Sequence, residues 1–204
     1  MAWQRGVFLA LAGASGSGKT TIIRELLARE PRLRVFANCT TRGKRESDID
    51  GEYVYLSRDE LDDLNMRGML LMIMDLYGVQ HSTLRASLLE AAMLACRGAS
   101  YLATCNVQRV LEFRMELVRA GLEEVLCPVF LATPSVGTVR RRLRLRGELP
   151  EGVKRRLVEC ANWEKSAQQS GIFRFVANPD TEGGDVSFAT EQVWRIIVEH
   201  RSLR

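Results

Sequence analysis

The stretch Gly13-Ala14-Ser15-Gly16-Ser17-Gly18-Lys19-Thr20 constrains this chain more than any other. No bulky side chain stands between Gly13 and Lys19, so successive backbone N–H groups can turn toward one point. Ahead of it, Val7 to Ala12 is an unbroken apolar run, the pattern of a central parallel strand covered on both faces. Behind it, Ile22, Ile23, Leu26 and Leu27 recur at helical spacing until Pro31 stops them. Strand, glycine loop and helix in that order are the context of a phosphate-binding loop.

The loop matches the pattern Gly-x4-Gly-Lys-Thr in full. Its expected ligand is the phosphate tail of a nucleoside triphosphate, held by Gly13, Ala14, Ser15, Gly16, Ser17, Gly18, Lys19, Thr20 and Thr21. Lys19 is expected to neutralise charge on the β- and γ-phosphates, and the Thr20 hydroxyl to ligate Mg²⁺. No Asn-Lys-x-Asp guanine-reading motif occurs, which argues against a GTP switch. The length of 204 residues argues against a motor or transporter ATPase.

The remaining chain alternates strand and helix signals, which predicts an α/β three-layer fold around a central parallel sheet. Residues 34–57 read as short strands around Asp50-Gly51. Ser57 to Glu60 reads as a capping box that opens a helix through Leu61 and Leu64. Leu70 to Leu76 is a strand candidate, and Leu84 to Cys96 a helix with Leu88, Leu89, Ala92 and Ala95 inward. Tyr101 to Cys105, Val125 to Ala132 and Phe173 to Ala177 read as further strands. A basic helix pair spans about 136–166, and a last helix carries Val193, Ile196 and Ile197. Met66, Met69, Met72 and Met74 are expected in the core or lining a pocket, and Trp163 and Trp194 packed on helices.

Charge and cysteine content narrow the partners. The net charge of +4 is modest, but eight of the residues from Arg140 to Arg156 are basic, against Glu148 and Glu151. That segment expects an anionic partner. Taken alone such a run suits a solvated basic helix or a nucleic-acid patch, although the modest net charge does not by itself imply nucleic acid, which is not the expected partner. No window is long and apolar enough for a membrane helix. Five cysteines without a CxxC pair, with only His81 and His200 beside them, argue against a zinc site and suggest reduced thiols in a cytoplasmic protein.

Two further segments bring in a family. "TTRGKRESDIDGEYVYLSRDEL" (40–61) resembles the acceptor-binding segment of guanylate kinases. The resemblance implies that Arg42, Arg45 and Tyr53 grip the acceptor phosphate with Asp48 nearby, and two guanidiniums and a phenol suit a dianion. Asn38, Met72, Asp75, His81 and Ser82 complete the implied acceptor site. "PSVGTVRRRLRLRGELPEGVKRRL" (134–157) resembles that family's lid, which implies that Arg142, Arg146 and Arg156 reach the transferring phosphoryl group. With Lys19 and Arg42 these form the expected catalytic set. "FVANPD" (175–180) resembles the segment near the adenine and puts Asn178 at the ATP base or ribose.

The same resemblance divides the chain into a core (1–33, 83–135 and 167–204), an acceptor region of about 34–82 and a lid of about 136–166. It departs from the family where guanine is read. Met72 stands in place of a glutamate, Gln80-His81-Ser82 in place of a tyrosine-glycine-serine, and Thr104 and Asn106 in place of strand acids. The expectation is transfer from ATP to a nucleoside monophosphate, GMP or dGMP first. A ribose 1,5-bisphosphate kinase-like activity on a sugar phosphate stays open, as does a catalytically weak binding module.

Overall fold

The computed structural model describes residues 5–76, 78–145, 147–178 and 186–202. Strand β1 (Phe8–Gly13) has every residue buried, as its unbroken apolar run requires. It pairs in parallel with β7 (Ser100–Cys105) on one side and with β8 (Leu126–Leu131) on the other. Adding β2 (Leu33–Val35) and β9 (Arg174–Val176) gives a five-stranded parallel sheet in the order β2-β7-β1-β8-β9.

Alternation along β1 builds two cores. Phe8, Ala10 and Ala12 meet α3 (Arg85–Cys96), α4 (Val107–Ala120) and the later turns of α6 (Pro150–Ser170). Val7, Leu9 and Leu11 meet α1 (Lys19–Arg29) and α7 (Ser187–Ser202) through Ile22, Ile23, Leu26, Val193 and Ile197. Helices on both faces make the expected three-layer α/β fold. The Phe8 ring lies 4.9 Å from that of Phe36 and 5.8 Å from that of Phe113, both edge-on, the preferred geometry for such pairs.

A second, four-stranded sheet is built between residues 38 and 82. It comprises β3 (Asn38–Thr40), β4 (Tyr53–Tyr55), β5 (Met74–Leu76) and β6 (Val79–Ser82), ordered β4-β3-β6-β5. Helix α2 (Arg58–Met66) opens on the expected capping box between Ser57 and Glu60. Leu61 and Leu70 pack with Cys39 beneath this sheet. Helix α5 (Val136–Leu145) and the first turns of α6 form the basic pair. Helix α6 continues unbroken through position 166, so Trp163 and Ala167 join the main core. Among the described residues no helix is long and apolar enough to cross a membrane.

Three expectations change. The strand over Leu70 to Leu76 shortens to β5, because α4 captures the backbone of Met72. Arg109 Nη1 donates to its carbonyl at 2.9 Å, and Glu112 accepts from its N–H. Helix α4 itself escaped the sequence reading: Val110, Phe113 and Leu117 mark its buried face, but Arg109, Glu112 and Glu116 are buried beside them and blur the apolar stripe. The methionines also separate, with Met74 buried while Met66 and Met72 stand 80% and 52% exposed.

Phe113 joins the aromatic cluster to α4, so Phe113→Ala should lower stability by about 3–5 kcal/mol. Urea unfolding reads this as a lower midpoint at unchanged slope. An unmoved midpoint would remove the cluster as the centre of the core.

Candidate active site

The glycine loop leaves β1 at Gly13 and enters α1 at Lys19. A Cβ on Gly13 would lie 2.9 Å from the carbonyl oxygen of Leu131, closer than real Cβ atoms approach backbone. Gly18 has a φ of 105°, a conformation that favours glycine. Helix α1 has no side-chain cap and no acid in its first turn. Its first N–H groups and its dipole therefore face the loop without an internal anion to occupy them. The Ser17 hydroxyl is fully buried and has no hydrogen-bond partner among the described residues. Bare amides, an orphaned hydroxyl and Lys19 make a donor set suited to phosphate oxygens.

Neighbouring elements brace this loop. Lys19 Nζ donates to the carbonyls of Gly13 and Ala14 at 2.7 and 2.8 Å. Asn178 donates to the Ser17 and Ala132 carbonyls at 2.7 and 3.1 Å. Its amide nitrogen thus anchors the loop to the end of β9, a role the expected adenine contact did not include. Arg142 donates to Gly16 O at 3.0 Å, and Arg156 to Ser15 Oγ at 2.9 Å while pairing with Glu148 at 2.7 Å. Val139, Leu143, Val153 and Cys160 pack around Ala14, so the basic helix pair sits directly on the loop. Arg146 lies outside the described residues.

Facing the loop is the segment expected to bind the acceptor. Arg42 forms a two-pronged pair with Asp48, both contacts at 2.7 Å, and its guanidinium lies 4.6 Å from the Tyr53 ring centre. Asp48 also accepts from the Arg45 amide at 2.8 Å and from the Tyr55 hydroxyl at 2.7 Å. Burial raises the Asp48 pKa, but those donors, led by Arg42, outweigh it and bring it down to about 2. The Arg42 guanidinium, in turn, is held firmly charged by Asp48 despite its burial. Lys19, Thr20, Thr21, Arg42, Arg45, Asp48 and Tyr53 line one cleft between loop and segment.

A second cavity of about 200 Å³ adjoins it and shares Lys19 and Tyr53. Asn38, Met74, Leu76, His81, Ser82, Thr104, Asn106, Arg109 and Trp163 are among its walls. Asn38 is tied to Thr104 O at 3.2 Å and to the Thr83 hydroxyl at 2.7 Å. The Ser82 hydroxyl donates to Leu71 O. Arg109 donates to the carbonyls of Met72 and His81 and pairs with Glu112, so this buried cation is spent on holding the hairpin in place.

Two expected acceptor residues lie elsewhere. The Met72 side chain is half-exposed and absent from the cavity wall, while Met74 lines it. Asp75 is exposed and accepts from Gly78 N at the hairpin turn, because alternation along β5 sends Met74 and Leu76 inward. Glu52, Arg109 and Trp163 were not foreseen as part of the site. The only signal for Arg109 was its place three residues after Asn106, whose side chain caps α4.

Burial first, and then the charges of Arg42, Arg109 and Arg45, lower the His81 pKa from 6.5 to about 4. Between those values the unfolded chain binds a proton that the folded chain refuses. The His81 contribution is therefore complete above about 6.5 and is lost as pH falls toward 4. His81→Asn should flatten the loss of stability on acidification across that window, read as the parent-minus-variant difference in urea unfolding. A difference that stays constant with pH would show that His81 is not held neutral.

Comparison with known proteins places this geometry. A family model described as guanylate kinase matches residues 6–182. The guanylate kinase of Symbiobacterium thermophilum is 33% identical over 167 residues, covering 78% of this chain and 72% of the relative. That of Parasynechococcus marenigrum is 33% identical over 179 residues, covering 87% and 92%. The crystal structure of guanylate kinase from Anaplasma phagocytophilum superposes with a TM-score of 0.65 at 19% identity, covering 98% of this chain and 88% of that one, a likeness of fold. With its sequence match running from β1 past β9, this chain belongs to the guanylate kinase family.

Proposed function

We propose that this chain transfers the γ-phosphoryl group of ATP, brought in with Mg²⁺, to a nucleoside monophosphate, with GMP or dGMP the acceptor its family favours. One observation carries the reading: the glycine loop and the Arg42–Tyr53 segment line a single cleft. A triphosphate tail on one wall and an acceptor phosphate on the other would then lie side by side. The names of the relatives support the same reaction class.

In this reading the acceptor phosphate oxygen forms the new bond to the γ-phosphorus as the bond to the leaving diphosphate breaks. Lys19 and the loop amides would hold the β- and γ-phosphates. Arg142 and Arg156 stand against the same loop, where a cation offsets charge spread over the transferring oxygens. Arg42, Arg45 and Tyr53 would hold the acceptor. No general base is needed, because the attacking oxygen is already anionic, and His81, held neutral, has no such part to play. Among the described residues no group of three or more His, Cys, Asp or Glu could cage a metal ion. The cation would therefore ride on the nucleotide phosphates with the Thr20 hydroxyl as its protein ligand, the habit of Mg²⁺.

A second reading follows from the smaller cavity. None of its described lining residues is an Asp or Glu, yet guanine presents N1–H and N2–H₂ donors that ask for acceptors. That favours an acceptor without guanine, a sugar phosphate included. ADP release measured with GMP, dGMP, AMP, UMP and ribose bisphosphate separates the two. Turnover with GMP or dGMP supports the first reading, and turnover with ribose bisphosphate alone replaces it. ATP binding without turnover of any acceptor would mark a binding module.

Lys19→Met should lower kcat by about 10²–10³-fold in a chain that still folds. Arg156→Ala should lower kcat more than it raises the KM for ATP. Parent-like rates in the Lys19 variant would end the phosphoryl-transfer reading.

A further inference from the structure

Among the described residues that line the cleft between the glycine loop and segment 42–53 are two acids, Asp48 and Glu52. Asp48 is consumed: Arg42, the Arg45 amide and the Tyr55 hydroxyl take its oxygens. Glu52 is different. It is only 4% exposed, yet its two described side-chain contacts are with neutral donors. The Thr104 hydroxyl donates to Oε1 at 2.5 Å, and the Ile49 N–H donates to Oε2 at 3.1 Å. An ionised carboxylate offers about four acceptor sites, and the two described contacts account for about half of them. Desolvating a carboxylate for so little return is unfavourable unless the site supplies a further partner.

The surroundings identify that partner. Lys19 and Thr20 line the same cleft as Glu52 and Thr104. Thr104 sits on β7 beside Leu11 of β1, two residues before the glycine loop begins. A hydrated divalent cation held at the Thr20 hydroxyl needs acceptors for its water protons, and Mg²⁺ keeps several waters when bound. Strand β7 offers no carboxylate there, since Thr104 and Asn106 occupy that end.

Taking the proposed ATP·Mg²⁺ chemistry as its basis, we propose that Glu52 is the carboxylate that orients the water shell of the nucleotide-bound divalent cation, and that Thr104 holds it in position. Glu52 is then a positioning residue contributed by the acceptor region across the cleft to the core. One consequence is a link between substrate sites. The cation is fully oriented only when the segment ending at Glu52 lies against β7, so the Arg42–Asp48 clamp and the metal site come together as one unit.

The test is binding, apart from turnover. Mn²⁺ serves as the probe, followed by electron paramagnetic resonance in the presence of a non-hydrolysable ATP analogue, on the full chain and on Glu52→Gln. The parent should bind Mn²⁺ and analogue cooperatively, and Glu52→Gln should weaken the Mn²⁺ step by about 10–100-fold, the usual effect of losing an outer-shell partner. Binding of the analogue in EDTA should be unchanged, which a merely structural defect would not leave intact. Thr104→Val keeps the carboxylate while freeing it, and should show the same loss in smaller measure even if Glu52→Gln folds poorly.

Equal Mn²⁺ affinity in the parent and in folded variants would overturn the role of Glu52 and leave the proposed function standing. A parent that binds the analogue no better with Mn²⁺ than without it would remove both.

Discussion

Everything in this molecule depends on a turn of backbone that cannot satisfy itself. The N–H groups at the start of α1 have no side-chain cap, and the Ser17 hydroxyl has no partner among the described residues. Unmet donors cost free energy when buried, and they hold their shape only if the surroundings hold it for them. The structure does so from every side. Asn178 grips the Ser17 carbonyl, Arg142 that of Gly16, and Lys19 folds back over Gly13 and Ala14. The loop is therefore held in one shape before any ligand enters.

The opposite wall follows the same rule with side chains in place of amides. Arg42 is fixed by Asp48, and Asp48 by Tyr55 and the Arg45 amide, so a charged group in a partly buried cleft spends little further entropy on binding. The smaller cavity beside it is braced by a different device. Arg109 and Glu112, a buried pair on α4, hold the backbone of Met72 and His81. A buried ion pair of this kind adds little net stability, but losing one member strands the other, so it serves chiefly to fix geometry.

The sequence was a good guide wherever a local rule decides. The loop, the β1 run, the Ser57 capping box and the two-faced burial of β1 all follow from short-range periodicity or turn chemistry. Where long-range contacts compete with a local pattern, the reading failed. Leu70 to Met72 has strand composition, yet α4 takes the hydrogen-bonding groups of Met72 that a ladder would use. Asp75 sits near the implied acceptor site in sequence but faces solvent, because a one-residue step along a strand reverses the side chain. Helix α4 was hidden because three charged residues occupy its buried side, and only their partners on other elements make that burial tolerable.

The amino-acid sequence by itself determined the fold class and the strand, glycine loop and helix that open the chain, because both rest on spacing within a few residues of one another. Tertiary structure alone decided which side chains share the cleft with that loop. Glu52 and Thr104 are 52 positions apart and meet only because the segment that carries Glu52 docks on the end of β7. No local rule encodes that meeting; it is set by where the packed sheets and helices bring the two chain segments together.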